Sequence, residues 1–180
     1  MSPPILTPIA RFNRSYALVK IDEGGSKFTN SPKDAGGPTR WGVSLAALTE
    51  WRGHPCTADD VAQLQEAEAG EIYHVKYWPP GDQLPAGVDY MVFDAAVNCG
   101  RIKAGRFLQT ALKLGQVDGI IGPQTLAAVA AADPVALIEP MRAARAAFYQ
   151  SCQDFPTWGN GWLKRNTRVA LAATAWAKKG

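Results

Sequence analysis

The chain has 180 residues, 47% hydrophobic and 19% charged, with a formal net charge of +3. That length and mixture exclude a disordered or low-complexity polymer and fit one ordinary domain, or one domain with a closely packed lobe. Three cysteines, Cys56, Cys99 and Cys152, lie far apart without CxxC spacing and argue against both a disulfide framework and a zinc site.

No stretch approaches the roughly 18 uninterrupted apolar residues of a membrane helix, and the N-terminus lacks the order of a secretory signal. The expectation is a soluble chain without a visible export address. Charge is unevenly spread. Acids dominate from Thr57 to Asp94, whereas Met141 to Gly180 carries seven bases against Asp154 alone. A cationic end of this kind suits an anionic polymer, a lipid surface or nucleic acid, and charge does not choose among them.

In chain order, Arg11 to Asp22 reads as a helix with Phe12, Tyr16 and Val19 on one face. Eleven residues past Phe12 the same face reaches Glu23, because eleven steps of about 100° nearly close a turn. Gly24-Gly25 permits a left-handed helix end. The Gly-rich segment 24–43 is expected to be an irregular loop or small hairpin. Ser44 then caps a short helix carrying Leu45 and Leu48 and stopped by Gly53. Thr57 opens a longer helical region to Tyr77 through a capping-box variant, with an interruption near Gly70. Trp78-Pro79-Pro80-Gly81 breaks it.

Val88 to Cys99 is nearly all apolar and ends at Gly100, as a buried helix would. Lys103 to Leu114 is the next helix, followed by a turn at Asp118-Gly119. Pro123 and Pro134 each suit a first helical position, behind Gly122 and Asp133 as caps. The second of these helices runs to about Cys152, with a kink expected at Pro140, and Trp162 to Lys178 closes the chain. The fold class is therefore all-α with a small hairpin or Gly-rich loop after the first helix. A seam, if there are two lobes, falls at Gly100–Lys103, giving a lobe of residues 1–100 and a helical lobe of 101–180.

For chemistry, a carboxylic acid serves as proton donor near neutral pH where apolar surface disfavours its charged form. Glu23 combines an apolar wall with an open, glycine-rich side, in a place where helix C-termini disfavour acids. Asp34 and Thr39, carried by the following loop, are the polar groups expected opposite it, an arrangement suited to activating water in glycoside hydrolysis. Asp34 reads equally as a turn former in Lys-Asp-Ala-Gly-Gly. His54 and His74 have no metal-binding spacing, and no nucleophile elbow, phosphate loop or dinucleotide fingerprint occurs, so neither metal nor cofactor is expected. Trp41, Trp51, Trp78, Trp158, Trp162 and Trp176, with Tyr73 and Tyr77, offer faces for sugar stacking or for the core.

Glu23-Gly24-Gly25, Asp34 to Val43 and Tyr73 to Trp78 resemble the opening of glycoside hydrolase family 108, the phage-type N-acetylmuramidases. Phe93-Asp94-Ala95-Ala96-Val97-Asn98-Cys99-Gly100, Leu108 to Leu112 and Val117 to Thr125 are similar to that family's middle and its associated peptidoglycan-binding region, and Gly161 to Arg165 to its closing motif. Each motif alone is weak, but the ordered set spans about residues 12–170.

The resemblance implies a lysozyme-like α fold that cleaves the β-1,4 bond between N-acetylmuramic acid and N-acetylglucosamine. It carries the catalytic glutamate onto Glu23 as general acid. A weaker analogy with other phage lysozymes supports Asp34 and Thr39 as base or water-positioning groups, and Trp41, Tyr73, Tyr77 and Asn98 are the candidate substrate contacts. Two departures stand out: Ala35 where the family has proline, and Arg40 where Asn or Lys is usual. The Asp118-Gly119 to Thr125 motif reads physically as a tight turn and helix start, although the family name suggests wall binding.

The implied partners are peptidoglycan glycan strands, with anionic envelope polymers for the basic end. Nucleic acid is not expected, and the chain is expected to be a monomer. The implied setting is synthesis in a bacterial cytoplasm without a classical signal and action on the wall, whether as a phage endolysin, a prophage factor or an injected effector. A lytic transglycosylase on the same bond and a catalytically silent wall-binding module are the competing readings.

Overall fold

The computed structural model describes residues 6–30, 37–78 and 80–179. These are mostly helical, with one two-stranded antiparallel hairpin. They divide into two compact units: Asn13–Lys76, and residues up to Phe12 together with those from Tyr77 onward.

Within the unit of Asn13–Lys76, helix α1 (Pro8–Asp22) runs in from the other unit and buries Ser15, Tyr16 and Val19. Hairpin strands β1 (Thr39–Arg40) and β2 (Val43–Ser44) pair Thr39 with Ser44 and Arg40 with Val43. Helix α2 (Leu45–Arg52) follows without a linker. The Ser44 side chain accepts the Ala47 N–H at its start, and Gly53 ends it at φ +70°.

Helix α3 (Ala58–Ala62) opens with a full capping box between Thr57 and Asp60. Its successor α4 (Glu66–Tyr77) starts after a break at residues 63–65. The interruption expected at Gly70 therefore falls several residues earlier. Gly70 is buried inside α4, where a Cβ would lie 3.3 Å from the Tyr16 ring; its lack of a side chain serves packing. Arg52 grips Glu68 through two 2.9 Å bonds and reaches Asp60 at 3.2 Å, tying α2 to both.

The other unit is built on helix α5 (Val88–Cys99), buried continuously from Val88 to Ala96. Helices α6 (Arg101–Ala111), α7 (Pro123–Ala130), α8 (Pro134–Gln150) and α9 (Phe155–Ala177) follow, and α5 packs against α6, α8 and α9. Phe12, Trp78 and Phe93 meet edge to face at 5.4–5.6 Å. Such aromatic triads add to area burial alone, by about 0.5–1.5 kcal/mol per pair. Pro123 and Pro134 occupy first-turn positions as expected, and Asp133 caps Val135 at 2.9 Å. Helix α9 begins seven residues ahead of the expected Trp162. Gly159 in its first turns is buried where a Cβ would strike the Phe155 ring at 2.5 Å.

The expected seam at Gly100–Lys103 falls on the single residue linking α5 to α6 and the first turn of α6, inside this second unit. No helix among the described residues is long and apolar enough to cross a membrane.

Candidate active site

Glu23 directly follows α1. The Gly25 N–H bonds the Lys20 carbonyl at 2.8 Å and the Gly24 N–H bonds the Ile21 carbonyl at 3.2 Å, with Gly24 at φ +94°. That pair of bonds is the Schellman termination, in which Glu23 is the C-cap residue. The end of the helix is thus fixed by backbone bonds, and the half-buried Glu23 side chain leaves a rigid base.

The hairpin is anchored to this helix end. The Trp41 N–H bonds the Gly25 carbonyl at 3.0 Å, and Thr29 and Thr39 exchange both backbone bonds at 2.8 and 2.9 Å. Its two-residue turn is Trp41-Gly42, with φ +55° and +72°. Positive φ at both positions is the type I′ requirement. A tryptophan there costs about 1–2 kcal/mol, and its indole N–H is tied to the Leu64 carbonyl at 3.2 Å. Backbone strain of this kind concentrates at functional sites.

Gly42 brings the candidate residues together. A Cβ at this position would lie 2.2 Å from the Tyr73 hydroxyl and 2.8 Å from the Glu23 Cβ. The turn therefore sits directly against both the acid and the buried Tyr73 of α4, with no room for a methyl group. Lys20 pairs with Glu66, and its ammonium lies 5.8 Å from the Trp41 ring centroid and 6.0 Å from that of Tyr16. Tyr16 stacks on Tyr73 with ring centroids 5.3 Å apart, and burial, then the Glu66 charge, pushes its hydroxyl up to about 12.

Thr39 donates its hydroxyl proton to the Gly37 carbonyl at 3.1 Å. With its proton committed, the oxygen keeps lone pairs for accepting a hydrogen bond from water. Arg40, at the position where the family pattern has Asn or Lys, bonds the Ser26 carbonyl at 3.2 Å and also the Ala62 carbonyl. It staples the loop to the end of α3. Asp34 lies outside the described residues.

Tyr77 and Asn98 belong to the other unit. Tyr77 lines a cavity of about 450 Å³ with Val92, Ala96, Arg101 and Ile120. Asn98 is two residues past Ala96, about 200° round α5, so its side chain is on a different face of that helix. Its Oδ1 accepts from Tyr149 at 2.5 Å, from Arg145 at 3.2 Å and from the Cys99 thiol at 3.2 Å. Arg145 and Arg165 both hold the fully buried Asp94, at 2.6 and 2.9 Å.

Sequence reasoning did not anticipate the spacer role of Gly42 or the Lys20–Glu66 pair beneath Trp41. A Trp-Gly dipeptide between two short extended runs is the available signal for the former. Among the described residues, no group of three or more His, Cys, Asp or Glu side chains is placed to hold a metal ion.

The family model described as glycosyl hydrolase 108 matches residues 16–100, and that described as a predicted peptidoglycan domain matches residues 103–167. The structure of Brucella abortus SagA is similar, at 37% sequence identity and a TM-score of 0.80, covering 92% of this chain and 95% of that one. No curated protein matches. Taken with the helix-end glutamate and the hairpin wedged against it, these matches mean that the chain belongs to the glycosyl hydrolase 108 family, as a glycoside hydrolase whose second segment is the family's predicted peptidoglycan domain.

Proposed function

We propose that this peptidoglycan hydrolase is an N-acetylmuramidase: it cleaves the β-1,4 bond between N-acetylmuramic acid and N-acetylglucosamine, with Glu23 as general acid. The observation that carries this reading is the position of Glu23, fixed as C-cap of α1 and flanked by the Gly42 turn and Tyr73. A carboxyl group carried on a fixed helix end beside the Trp41-Gly42 turn suits protonation of a glycosidic oxygen as the C1–O bond breaks. Water then attacks the oxocarbenium-like carbon and gives up a proton. Thr39 accepts a hydrogen bond from that water, with Asp34 as its base. Trp41, half-exposed on the turn, contributes a face against which a sugar packs, whereas Tyr73, expected from the sequence as a substrate contact, is 2% exposed beneath Tyr16 and supports the turn instead.

The exposed bases Lys164, Lys178 and Lys179 supply a non-specific attraction to anionic envelope polymers. The protein is made in the bacterial cytoplasm and acts on the wall.

The test is release of reducing ends from purified peptidoglycan. Glu23→Gln is expected to lower turnover by about 10²-fold or more, and full activity in that variant rejects the assignment. Mass spectrometry of the products separates hydrolysis, which adds water, from lytic transglycosylation, which leaves an anhydro sugar.

A further inference from the structure

Asn98 is solvent-exposed, yet its side chain is held from beneath by groups that are not. Arg145 is 1% exposed and Tyr149 3%. A guanidinium has donors only, so the Asn98 atom facing Arg145 is its oxygen, and the amide orientation follows from chemistry. The Tyr149 hydroxyl accepts from Arg145 Nε at 2.6 Å, which commits its own proton to Asn98 Oδ1 at 2.5 Å. Arg145 is in turn fixed by Asp94 at 2.6 Å, and the Tyr149 ring lies 5.3 Å from that of Trp162. With Oδ1 also accepting from Cys99, the oxygen is saturated. The Nδ2 amide makes no hydrogen bond to the described residues.

We infer that Arg145 and Tyr149 are positioning residues which lock the Asn98 amide with its NH₂ presented to an amide carbonyl of the peptidoglycan substrate, either the N-acetyl group of a sugar or a stem-peptide bond. Asn98 makes the contact, and the Asp94–Arg145–Tyr149 relay fixes its direction. Preorganised donors of this type lose little entropy on binding, which is what the buried support provides. The assignment rests on the muramidase reading and adds to it a substrate contact with its mechanical support.

Asn98→Asp is the discriminating variant. A carboxylate still accepts from Arg145 and Tyr149, so a role confined to holding the fold is preserved, while the outward donor is lost. The expected result is a melting temperature within about 2 °C of wild type and a KM for purified peptidoglycan raised about 10-fold, with kcat changed much less. Tyr149→Phe keeps the ring on Trp162 and removes the hydroxyl; it is expected to raise KM about 3-fold, measured well below its own melting temperature. Because both act through one amide, the double variant is expected to be no worse than Asn98→Asp alone.

Peptide-free glycan strands distinguish the two carbonyl sources: the KM effect persists on them for an N-acetyl contact and disappears for a peptide contact. Unchanged KM in Asn98→Asp, or a Tyr149→Phe effect that multiplies in full onto it, overturns the inference. Wild type that releases no product rejects the muramidase reading instead, so the two failures are distinct.

Discussion

Gly42 is the residue on which the candidate site is most sharply dependent. Alanine there would meet Tyr73 Oη at 2.2 Å and Glu23 Cβ at 2.8 Å, in a backbone conformation at φ +72° that L-residues rarely adopt. Gly42→Ala is expected to lower stability by about 1–3 kcal/mol and to cut turnover, since it pushes the acid itself. Adding Tyr73→Phe removes the nearest clash and is expected to restore part of the melting temperature in thermal unfolding. If the double variant recovers nothing, the contact with Tyr73 is not the source of the damage. The place of Glu23 at the helix end was legible because two local signals coincide, an apolar stripe that reaches it and two glycines that follow. Gly42 was not, because its constraint comes from Tyr73, more than thirty positions downstream.

Elements with strong local punctuation were readable from the sequence. The caps at Ser44, Thr57 and Asp133 and the prolines at 123 and 134 each begin the helix they announce. Glycines that serve packing give no such signal: Gly70 suggested a break inside α4, and the helix expected from Trp162 in fact begins at Phe155 and includes Gly159, whereas each glycine lets an aromatic ring approach the backbone. The segment between α6 and α7 makes the same point about a motif. Gln109, buried on α6, donates to Asp118 at 2.8 Å, to the Ile120 carbonyl at 3.1 Å and to Thr125 at 3.3 Å, and accepts the Gly119 N–H at 2.7 Å. The Asp-Gly to Thr motif is thereby clasped to one side chain. Gln109→Leu leaves a buried N–H unsatisfied and is expected to cost about 2 kcal/mol, or about 4–8 °C in melting temperature. Peptidoglycan pelleting unchanged at low temperature would separate that clasp from wall binding.

At the scale of the whole chain, the uneven charge seen in the sequence is partly internal. Of the seven bases from Met141 onward, Arg145 and Arg165 are bound to Asp94 and Arg142 pairs with Glu139. The proposed attraction to an anionic polymer would therefore rest on exposed residues such as Lys164, Lys178 and Lys179. Neutralising these three is expected to weaken pelleting with peptidoglycan at low salt and to leave it unchanged at about 1 M salt, where the screening length is about 3 Å.

Stability is also expected to depend on alkaline pH. Burial raises the Tyr16 hydroxyl to about 12 and raises Tyr149 further, against the pull of Arg145. A raised tyrosine favours the folded state fully below its unfolded value near 10, and the contribution is lost as pH climbs through the folded values. Melting temperature should thus fall from about pH 10 upward, and Tyr16→Phe should flatten that fall; an unchanged slope counts against it.

The double grip on Asp94 bears on inheritance. Asp94 lies in the segment matched by the hydrolase model, whereas Arg145 and Arg165 lie in the segment matched by the peptidoglycan one. Stripping a buried charge of its partners costs about 3–5 kcal/mol, so a gene fragment encoding residues 1–100 would yield a chain with an orphaned carboxylate at the centre of α5. The two segments are therefore bound to travel together through recombination, and a transplanted second segment would need an arginine at both positions to be accepted.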